Sequence, residues 1–281
     1  MSRHRASQLS HLAGAGAGAA DAETAYAHAL DTLSRAGVPY LVGGGFAMVR
    51  YTGIPRVTKD LDLFLRPDDF ESALKVLAAG GFRTERTHPH WLGKARAGEH
   101  CIDLIFNSGN GVTDVDDAWF EHASEGEALG RKVRFVPAEE LTWTKLFVME
   151  RERYDGADVA HVLRHQADRL DWKRLRDRVG DNWRVLLSHL ILFGFIYPGE
   201  HSRVPARVLD ELLRTLERER AQAPMPERLC RGTLLSREQY LHDIRVEQFQ
   251  DARATQASSM NPDDIAAWTD AIGRDAGDAG G

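Results

Sequence analysis

The sequence has no long apolar run. None of its 281 residues belongs to a stretch near the roughly 18 apolar residues that cross a bilayer, and the most apolar segment, 186–197, is shorter and contains His189. Only two cysteines are present, Cys101 and Cys230, and their number and wide separation fit a reducing compartment without disulfides. The N-terminal residues lack the apolar segment of a secretory signal. We therefore expect a cytoplasmic protein.

Several enzyme signatures are also missing. The chain has no Gly-x-x-x-x-Gly-Lys-Ser/Thr phosphate loop, no protein-kinase catalytic loop and no Gly-x-Ser-x-Gly elbow. These absences exclude the main competing enzymes that use nucleoside triphosphates. The formal net charge is −6, so the chain as a whole gives no sign of a nucleic-acid-binding surface.

Composition and periodicity predict an α+β fold. Apolar residues (43%) and charged residues (28%) are at ordinary levels for a globular protein. Helical and strand patterns alternate before Pro137, and the pattern after it is helical, with a first helix at about 138–152. We predict a mixed sheet flanked by helices, followed by a helical C-terminal domain. The predicted segments are a flexible leader (1–20), an α+β domain (21–137), a helical domain (138–221), a C-terminal arm (222–252) and a largely disordered tail (253–281). Within the tail, Asn261-Pro262 would start a short helix.

An acidic pair lies in the predicted strand 56–65. Residues two apart in a strand point to the same face with Cα atoms about 6.7 Å apart, so Asp60 and Asp62 project together. Two such carboxylates repel each other and require a cation. A second apolar strand, 101–106, is interrupted by Asp103. If the two strands are neighbours, three hard oxygen ligands converge, a set that suits Mg²⁺ or Mn²⁺ with substrate phosphates completing the shell.

A glycine run precedes the acidic pair. Gly43-Gly44-Gly45 opens a predicted helix, 46–51, and such a turn lets backbone N–H groups approach a phosphate closely. A glycine triplet or an Asp-x-Asp pair is common by itself. The ordered set of glycine turn, helix, Asp-x-Asp strand and lone-Asp strand is far more specific.

This ordered set resembles the signature of the DNA polymerase β-like nucleotidyltransferase superfamily. The matching elements are Gly44-Gly45, Asp60-x-Asp62 and Asp103. The resemblance implies a nucleotidyltransferase-type mixed sheet and two divalent ions bound by Asp60 and Asp62. It also implies that Asp103 helps to bind one ion and activates the attacking hydroxyl. The donor would be ATP or another NTP, with release of pyrophosphate.

A narrower resemblance is to minimal and toxin-type nucleotidyltransferases, including the AbiEii-like toxins. Gly44-Gly-Phe-Ala47 is similar to their Gly-Gly-x-Ala, and Arg56-x-Thr58 leads into the acidic pair as in their Arg-x-Thr-x-Asp-x-Asp. The resemblance implies that Gly44, Gly45, Arg56 and Thr58 contact the nucleotide. A cognate antitoxin is the partner that such toxins imply, and one chain cannot identify it.

The same resemblance extends to a helix lysine and an Asp-x-x-Asp motif. It implies that Lys145 contacts NTP phosphates and that Asp158 takes part in catalysis. The alternative for Lys145 is an exposed lysine paired with a nearby acid. The alternative for Asp155 and Asp158 is the capping of the helix that follows, as N-cap and N3 residues.

The acceptor and two rival functions stay open at this point. The acceptor could be a tRNA end, a protein hydroxyl or a small molecule such as an aminoglycoside. One rival is a non-catalytic nucleotide-binding or regulatory protein that keeps the fold, although a degenerate member would be expected to lose an acid first. The other is a kinase-like phosphotransferase on the same fold, which would release ADP instead of pyrophosphate.

Overall fold

The computed structural model describes residues 17–223 and 228–272, residues 17–20 by backbone alone. The chain divides into two compact units. Unit 1 contains residues up to 109 together with 114–137, and unit 2 contains 110–113 and the residues from 138 onward. Residues 1–16 of the predicted leader and 273–281 of the predicted tail lie outside the described residues.

Unit 1 is a seven-stranded mixed sheet with helices packed against it. The strands lie in the order β3-β4-β5-β2-β1-β7-β6, with β2 parallel to β5, β1 parallel to β7 and the other pairs antiparallel. The strands are β1 (Leu41–Val42), β2 (Asp60–Phe64), β3 (Arg83–His88), β4 (Leu92–Ala97), β5 (His100–Ile105), β6 (Ser124–Ala128) and β7 (Arg131–Phe135). The helices are α1 (Ala17–Arg35), α2 (Gly44–Thr52), α3 (Pro67–Ala79) and α4 (Asp117–Glu121). The predicted mixed sheet flanked by helices is confirmed.

The central strands of this sheet have one apolar face and one polar face. Side chains alternate along a strand, and the fully buried residues of β2 and β5 are Leu61, Leu63, Ile102 and Leu104. Helix α1 packs against β5, and α3 packs against β3 and β4. We call this side the covered face. The other side, which carries Asp60, Asp62 and Asp103, is called the acid face.

Unit 2 is mainly helical, as predicted for the C-terminal part of the chain. Its helices are α5 (Ala138–Leu146), α6 (Gly156–Gln166), α7 (Trp172–Val179), α8 (Trp183–Ile196), α9 (Ala206–Arg220), α10 (Leu241–Arg245) and α11 (Pro262–Asp270). Two short parallel strands, β8 (Leu229–Cys230) and β9 (Gln250–Asp251), pair within the predicted arm. Within the described ranges, no helix has the length and apolar character needed to span a membrane.

Three predicted boundaries were wrong. Strand β2 begins at Asp60 and not at residue 56, because its pairing with β5 begins at Asp60 opposite Cys101. Helix α5 ends at Leu146 and not near 152, because the chain turns back and Met149 bridges Tyr154. Helix α1 begins at Ala17, inside the predicted leader.

Two elements of unit 1 were not predicted from the sequence. They are α4 and β6, and β6 is a polar edge strand (Ser-Glu-Gly-Glu-Ala) without alternating apolar residues.

The short helix predicted to start at Asn261-Pro262 in the tail is confirmed as α11. The Asn261 side chain accepts a hydrogen bond from the Asp264 backbone, and the Asp264 side chain accepts one from the Asn261 backbone. This reciprocal capping explains why the helix starts there.

A buried ion network joins α5 to α7 in unit 2. Glu140 has no exposed surface and accepts a hydrogen bond from Arg178 Nε at 3.1 Å, with Arg174 Nη2 3.7 Å from its second oxygen. Arg174 also pairs with Glu139. Burial raises the pKa of Glu140, and the two guanidinium groups oppose that rise. The charge of Glu140 therefore depends on these arginines.

Removal of the Glu140 carboxylate should destabilise the protein strongly. The variant Glu140→Ala removes the fully buried carboxylate from its ion pairs with Arg178 and Arg174, and breaking a buried pair in this way costs about 3–5 kcal/mol. Urea denaturation measures the free energy of unfolding. The matched control is Asp177→Ala, which breaks the exposed Lys173–Asp177 pair and should change stability little. Equal losses in the two variants would contradict this account of the network.

Candidate active site

Parallel pairing of β2 with β5 brings three carboxylates together. Asp62 lies directly opposite Asp103, and Asp60 lies opposite Cys101. Carboxylate oxygens of Asp60, Asp62 and Asp103 lie within 4.8 Å of one another, and all three residues are partly exposed. Three hard oxygen donors at this separation fit the ligand preference of Mg²⁺ or Mn²⁺. The donor set therefore suits the ions that the sequence motif implies.

The surroundings of Asp103 oppose its negative charge. Burial raises the pKa of Asp103, and nearby Asp60 raises it further, whereas the Lys94 ammonium, 3.7 Å from Asp103 Oδ1, lowers it. Cys101 Sγ donates to Asp103 Oδ1 at 3.3 Å, and burial raises the pKa of Cys101 to about 12. The thiol therefore stays protonated at neutral pH. A cation at the three carboxylates would relieve this accumulated negative charge.

Tyr26 of α1 fixes the backbone beside the acidic pair. Its hydroxyl donates to the Lys59 carbonyl oxygen at 2.8 Å, one residue before Asp60. Burial, and then the charge of Asp60, raise the pKa of Tyr26, so the phenol remains a donor. Neither this contact nor that of Lys94 was predicted from the sequence. Tyr26 comes from a distant helix, and the Lys94 contact depends on the β4–β5 register, so no local motif identifies either.

The glycine turn packs directly against Asp62. Gly44 begins α2 with a φ of +48°, and a Cβ on it would lie 1.5 Å from Asp62 Oδ2. The Gly43 N–H donates to the Asp62 carbonyl oxygen at 2.9 Å. Both the positive φ and the close approach require glycine at position 44. The N-terminus of α2, whose exposed N–H groups favour anions, therefore lies beside the carboxylates.

The loop between α2 and β2 packs against the start of α2. A Cβ on Gly45 would lie 2.0 Å from Thr58 Cγ2 and 3.9 Å from Arg56 Cδ. Of the residues predicted to contact nucleotide, the structure thus brings Gly44, Gly45, Arg56 and Thr58 to one place. This place adjoins Asp62.

Lys145 and Asp158 belong to a charged cluster within unit 2. Lys145 Nζ donates to Asp155 Oδ2 at 3.0 Å and to Asp158 Oδ2 at 2.6 Å, and the lysine is buried. Arg153 donates twice to Asp155, each time at 3.1 Å. Burial would raise the pKa of Asp155, but Arg153 and Lys145 outweigh it and hold that pKa low.

The contacts of this cluster can be compared with the structural alternatives to catalysis for Lys145 and Asp155. Lys145 pairs with nearby acids, as its alternative role predicts, but it is buried and not exposed. The contact of Lys145 with NTP and the catalytic role of Asp158 stay predictions. Asp155 occupies the N-cap position of α6, but its side chain accepts no hydrogen bond there. The capping prediction for Asp155 was therefore wrong, because its carboxylate is taken up by Lys145 and Arg153.

Comparison with known proteins identifies one matching family. The model of a family described as uncharacterised nucleotidyltransferase matches residues 4–189. No curated protein matches the chain. Ten solved chains are similar to it, and three of these illustrate the range.

The similar solved structures are remote from this chain. The solution structure of the antibiotic-resistance factor ANT(2'')-Ia is 16% identical, with 64% of this chain and 95% of that one covered and a TM-score of 0.39. The lincomycin-bound lincosamide antibiotic adenylyltransferase LnuA is 17% identical, with 50% and 94% covered and a TM-score of 0.36. JHP933 from Helicobacter pylori is 11% identical, with 73% and 96% covered and a TM-score of 0.39.

A methyl group at Gly44 should disrupt the carboxylate cluster. In Gly44→Ala the new Cβ would displace the Asp62 carboxylate. We expect Mn²⁺ affinity, measured by calorimetry, to fall by about 10–100-fold, the usual effect of disturbing the residues that support a metal ligand.

The opposite end of the same helix offers a matched control. Gly53 also has a positive φ, +69°, but a Cβ on it meets nothing within 4 Å. Gly53→Ala should cost about 1–2 kcal/mol of stability through backbone strain and leave Mn²⁺ affinity unchanged. Equal Mn²⁺ affinity in wild type and Gly44→Ala would contradict the close approach to Asp62.

Proposed function

The chain belongs to the nucleotidyltransferase family whose model matches it over residues 4–189, and from this premise we propose that it moves a nucleoside monophosphate from an NTP to a hydroxyl acceptor. The chain is thus a nucleotidyltransferase. The proposal concerns its metal dependence, its donor and the role of each residue. The observation that carries it is the convergence of Asp60, Asp62 and Asp103 beside the glycine turn.

Asp60, Asp62 and Asp103 are the residues that would hold divalent ions. Their oxygens are close enough to share ions, and their chemistry matches Mg²⁺ or Mn²⁺. Two bound ions would stabilise charge on the attacking and leaving oxygens of the transferred phosphoryl group. Asp62 has the most constrained position of the three, since Gly44 packs against its carboxylate.

The start of α2 and the loop before β2 form a corner, the donor corner, which would bind the NTP. Backbone N–H groups at the start of α2 and the partial positive charge of the helix N-terminus favour phosphate oxygens. Arg56 and Thr58 adjoin Gly45 and would add a guanidinium and a hydroxyl to the same phosphates. ATP is the donor to test first, followed by the other three NTPs.

Asp103 would accept the proton of the acceptor hydroxyl. A carboxylate whose surroundings raise its pKa is a stronger base than an exposed one, and burial acts in that direction on Asp103. The Lys94 ammonium opposes this rise in the pKa of Asp103. Cys101, a protonated donor to the same oxygen, would hold the carboxylate in orientation.

The finer assignments rest on the sequence motifs. The Gly-Gly-x-Ala and Arg-x-Thr-x-Asp-x-Asp matches support placing the chain among minimal and toxin-type members, and the two widely separated cysteines support a cytoplasmic location. A cognate antitoxin would follow from that placement. A tRNA end, a protein or a small molecule are the acceptor classes that the motifs allow.

Transfer of label from an NTP tests the mechanism. With Mg²⁺ and a panel of total tRNA, protein and aminoglycosides, label on the α-phosphate should appear in an acceptor, and label on the γ-phosphate should appear in pyrophosphate. Asp62→Asn should reduce transfer at least about 100-fold, since even supporting residues at metal sites contribute 10–100-fold.

The matched control is Glu99→Gln, which neutralises an exposed acid in the turn just before β5. Its transfer rate should equal that of the wild type. Label transferred from the γ-phosphate to an acceptor would indicate a phosphotransferase. Full activity in Asp62→Asn would contradict the proposed mechanism.

A further inference from the structure

Three positive residues lie on the acid face beside the triad. Lys94 of β4 is directly opposite Asp103 of β5, and Arg96 of β4 is directly opposite Cys101. Arg83 of β3 is in turn opposite Arg96. Paired residues of neighbouring strands share a face, so all three side chains belong to the face that carries the triad. We call Arg83, Lys94 and Arg96 the basic strip.

The strand order separates the basic strip from the donor corner. Across the sheet, β1 and the glycine turn that follows it flank β2 on one side, and β5 lies on its other side. Strands β4 and β3 then follow β5. Asp103 is therefore flanked by the acidic pair and the donor corner on one side and by the basic strip on the other. A hydroxyl that reaches Asp103 opposite the donor arrives from the side of the strip.

On β3 and β4, the row of Arg83 and Arg96 carries two positive charges and no negative one, whereas Lys94 has a carboxylate on either side in its row. Like charges directly opposite each other on neighbouring strands destabilise a sheet, and Arg83 faces Arg96 in this way. Arg83 is exposed and makes no ion pair with any residue among those described. Glu85, opposite Lys94, supplies one negative charge to the neighbouring row. An anion between the two arginines would remove the repulsion.

We propose that the basic strip binds a phosphate group of the acceptor, so that the acceptor is a phosphate-bearing hydroxyl compound and not a polycationic aminoglycoside. This inference rests on the proposed function and names its acceptor class. Arginine is suited to the role because its planar guanidinium binds phosphate through two parallel hydrogen bonds. The overall charge of −6 does not oppose it, because the positive charge is local.

The transfer step itself is balanced without a further reactant. The acceptor hydroxyl oxygen forms a bond to the α-phosphorus of the NTP, and its proton goes to the Asp103 carboxylate. The bond between the α-phosphorus and the bridging oxygen to the β-phosphate breaks, and pyrophosphate leaves with the electron pair. The basic strip holds the acceptor phosphate during this step and takes no part in the bond changes.

A binding experiment with the donor site filled tests the proposal. The protein is saturated with Mg²⁺ and a non-hydrolysable NTP analogue, so that added phosphates cannot occupy the donor corner. The affinity for a 5′-dye-labelled single-stranded RNA with a free 3′ hydroxyl is then measured by anisotropy at several salt concentrations. A parallel arm measures the thermal shift produced by ribose 5-phosphate and by an aminoglycoside.

The double variant Arg83→Gln/Arg96→Gln should bind the RNA more weakly than the wild type. The slope of log K against log salt concentration should become shallower by about 1.4, because each phosphate contact on a single strand contributes about 0.7. Lys75→Gln is the matched control, since Lys75 is an exposed residue of α3, the helix that packs on the covered face. Its affinity and slope should equal those of the wild type.

The two arms separate the sources of the phosphate. Loss of RNA binding in the double variant supports a nucleic-acid acceptor, and loss of the ribose 5-phosphate shift alone supports a small phosphorylated one. Unchanged binding in the double variant, no binding of either probe, or stabilisation by the aminoglycoside alone would overturn the proposal. The Mg²⁺-dependent shift with NTP is measured on the same samples. If that shift is intact, the proposed function survives the failure of this inference.

Discussion

The close approach of three carboxylates is the central electrostatic constraint on unit 1. Oxygens of Asp60, Asp62 and Asp103 lie within 4.8 Å of one another, a separation at which carboxylates oppose each other's ionisation. The parallel pairing of β2 with β5 fixes this separation, because Asp62 is directly opposite Asp103 in the ladder. On the covered face, Leu61 and Ile102 are fully buried, and burial of each such side chain stabilises the fold by about 1.5–3 kcal/mol. Burial of the apolar face thus offsets the repulsion between the carboxylates on the acid face. A bound cation would relieve that repulsion, and the relief would contribute to its affinity.

The same register arranges charge in order across the sheet. The N-terminus of α2, with its partial positive charge, lies against the carboxylate of Asp62 on one side of the triad. On the other side, Lys94 lies 3.7 Å from Asp103, and Arg96 and Arg83 follow on the next positions of β4 and β3. The three carboxylates at the middle of the acid face are therefore flanked by positive groups on both sides. This order suits the proposed reaction between two phosphate-bearing reactants.

Much of this site could be predicted from the sequence, because its signals are local. Alternation of Asp60 and Asp62 with leucines marks a strand with one polar face, and Asp103 interrupts an apolar strand in the same way. What could not be predicted depends on register and on distant pairing. Nothing near Lys94 in the sequence indicates that it faces Asp103, because that contact follows from the β4–β5 register. The bond from Tyr26 to the strand start joins residues 33 positions apart. The end of α5 was misjudged for a related reason, since a bridge between later residues ends the helix.

The most direct test of the central claim is a thermal-stability measurement with each NTP, in Mg²⁺ or in EDTA, on the wild type and Asp60→Ala. Ligand at a hundred times its Kd stabilises a protein by about 2.7 kcal/mol, which is readily seen as a shift in Tm. We predict that at least one NTP raises the Tm of the wild type in Mg²⁺, and that EDTA or Asp60→Ala abolishes the rise. An equal rise in EDTA, an equal rise in Asp60→Ala, or no rise with any NTP would contradict a metal-dependent nucleotide site at these carboxylates.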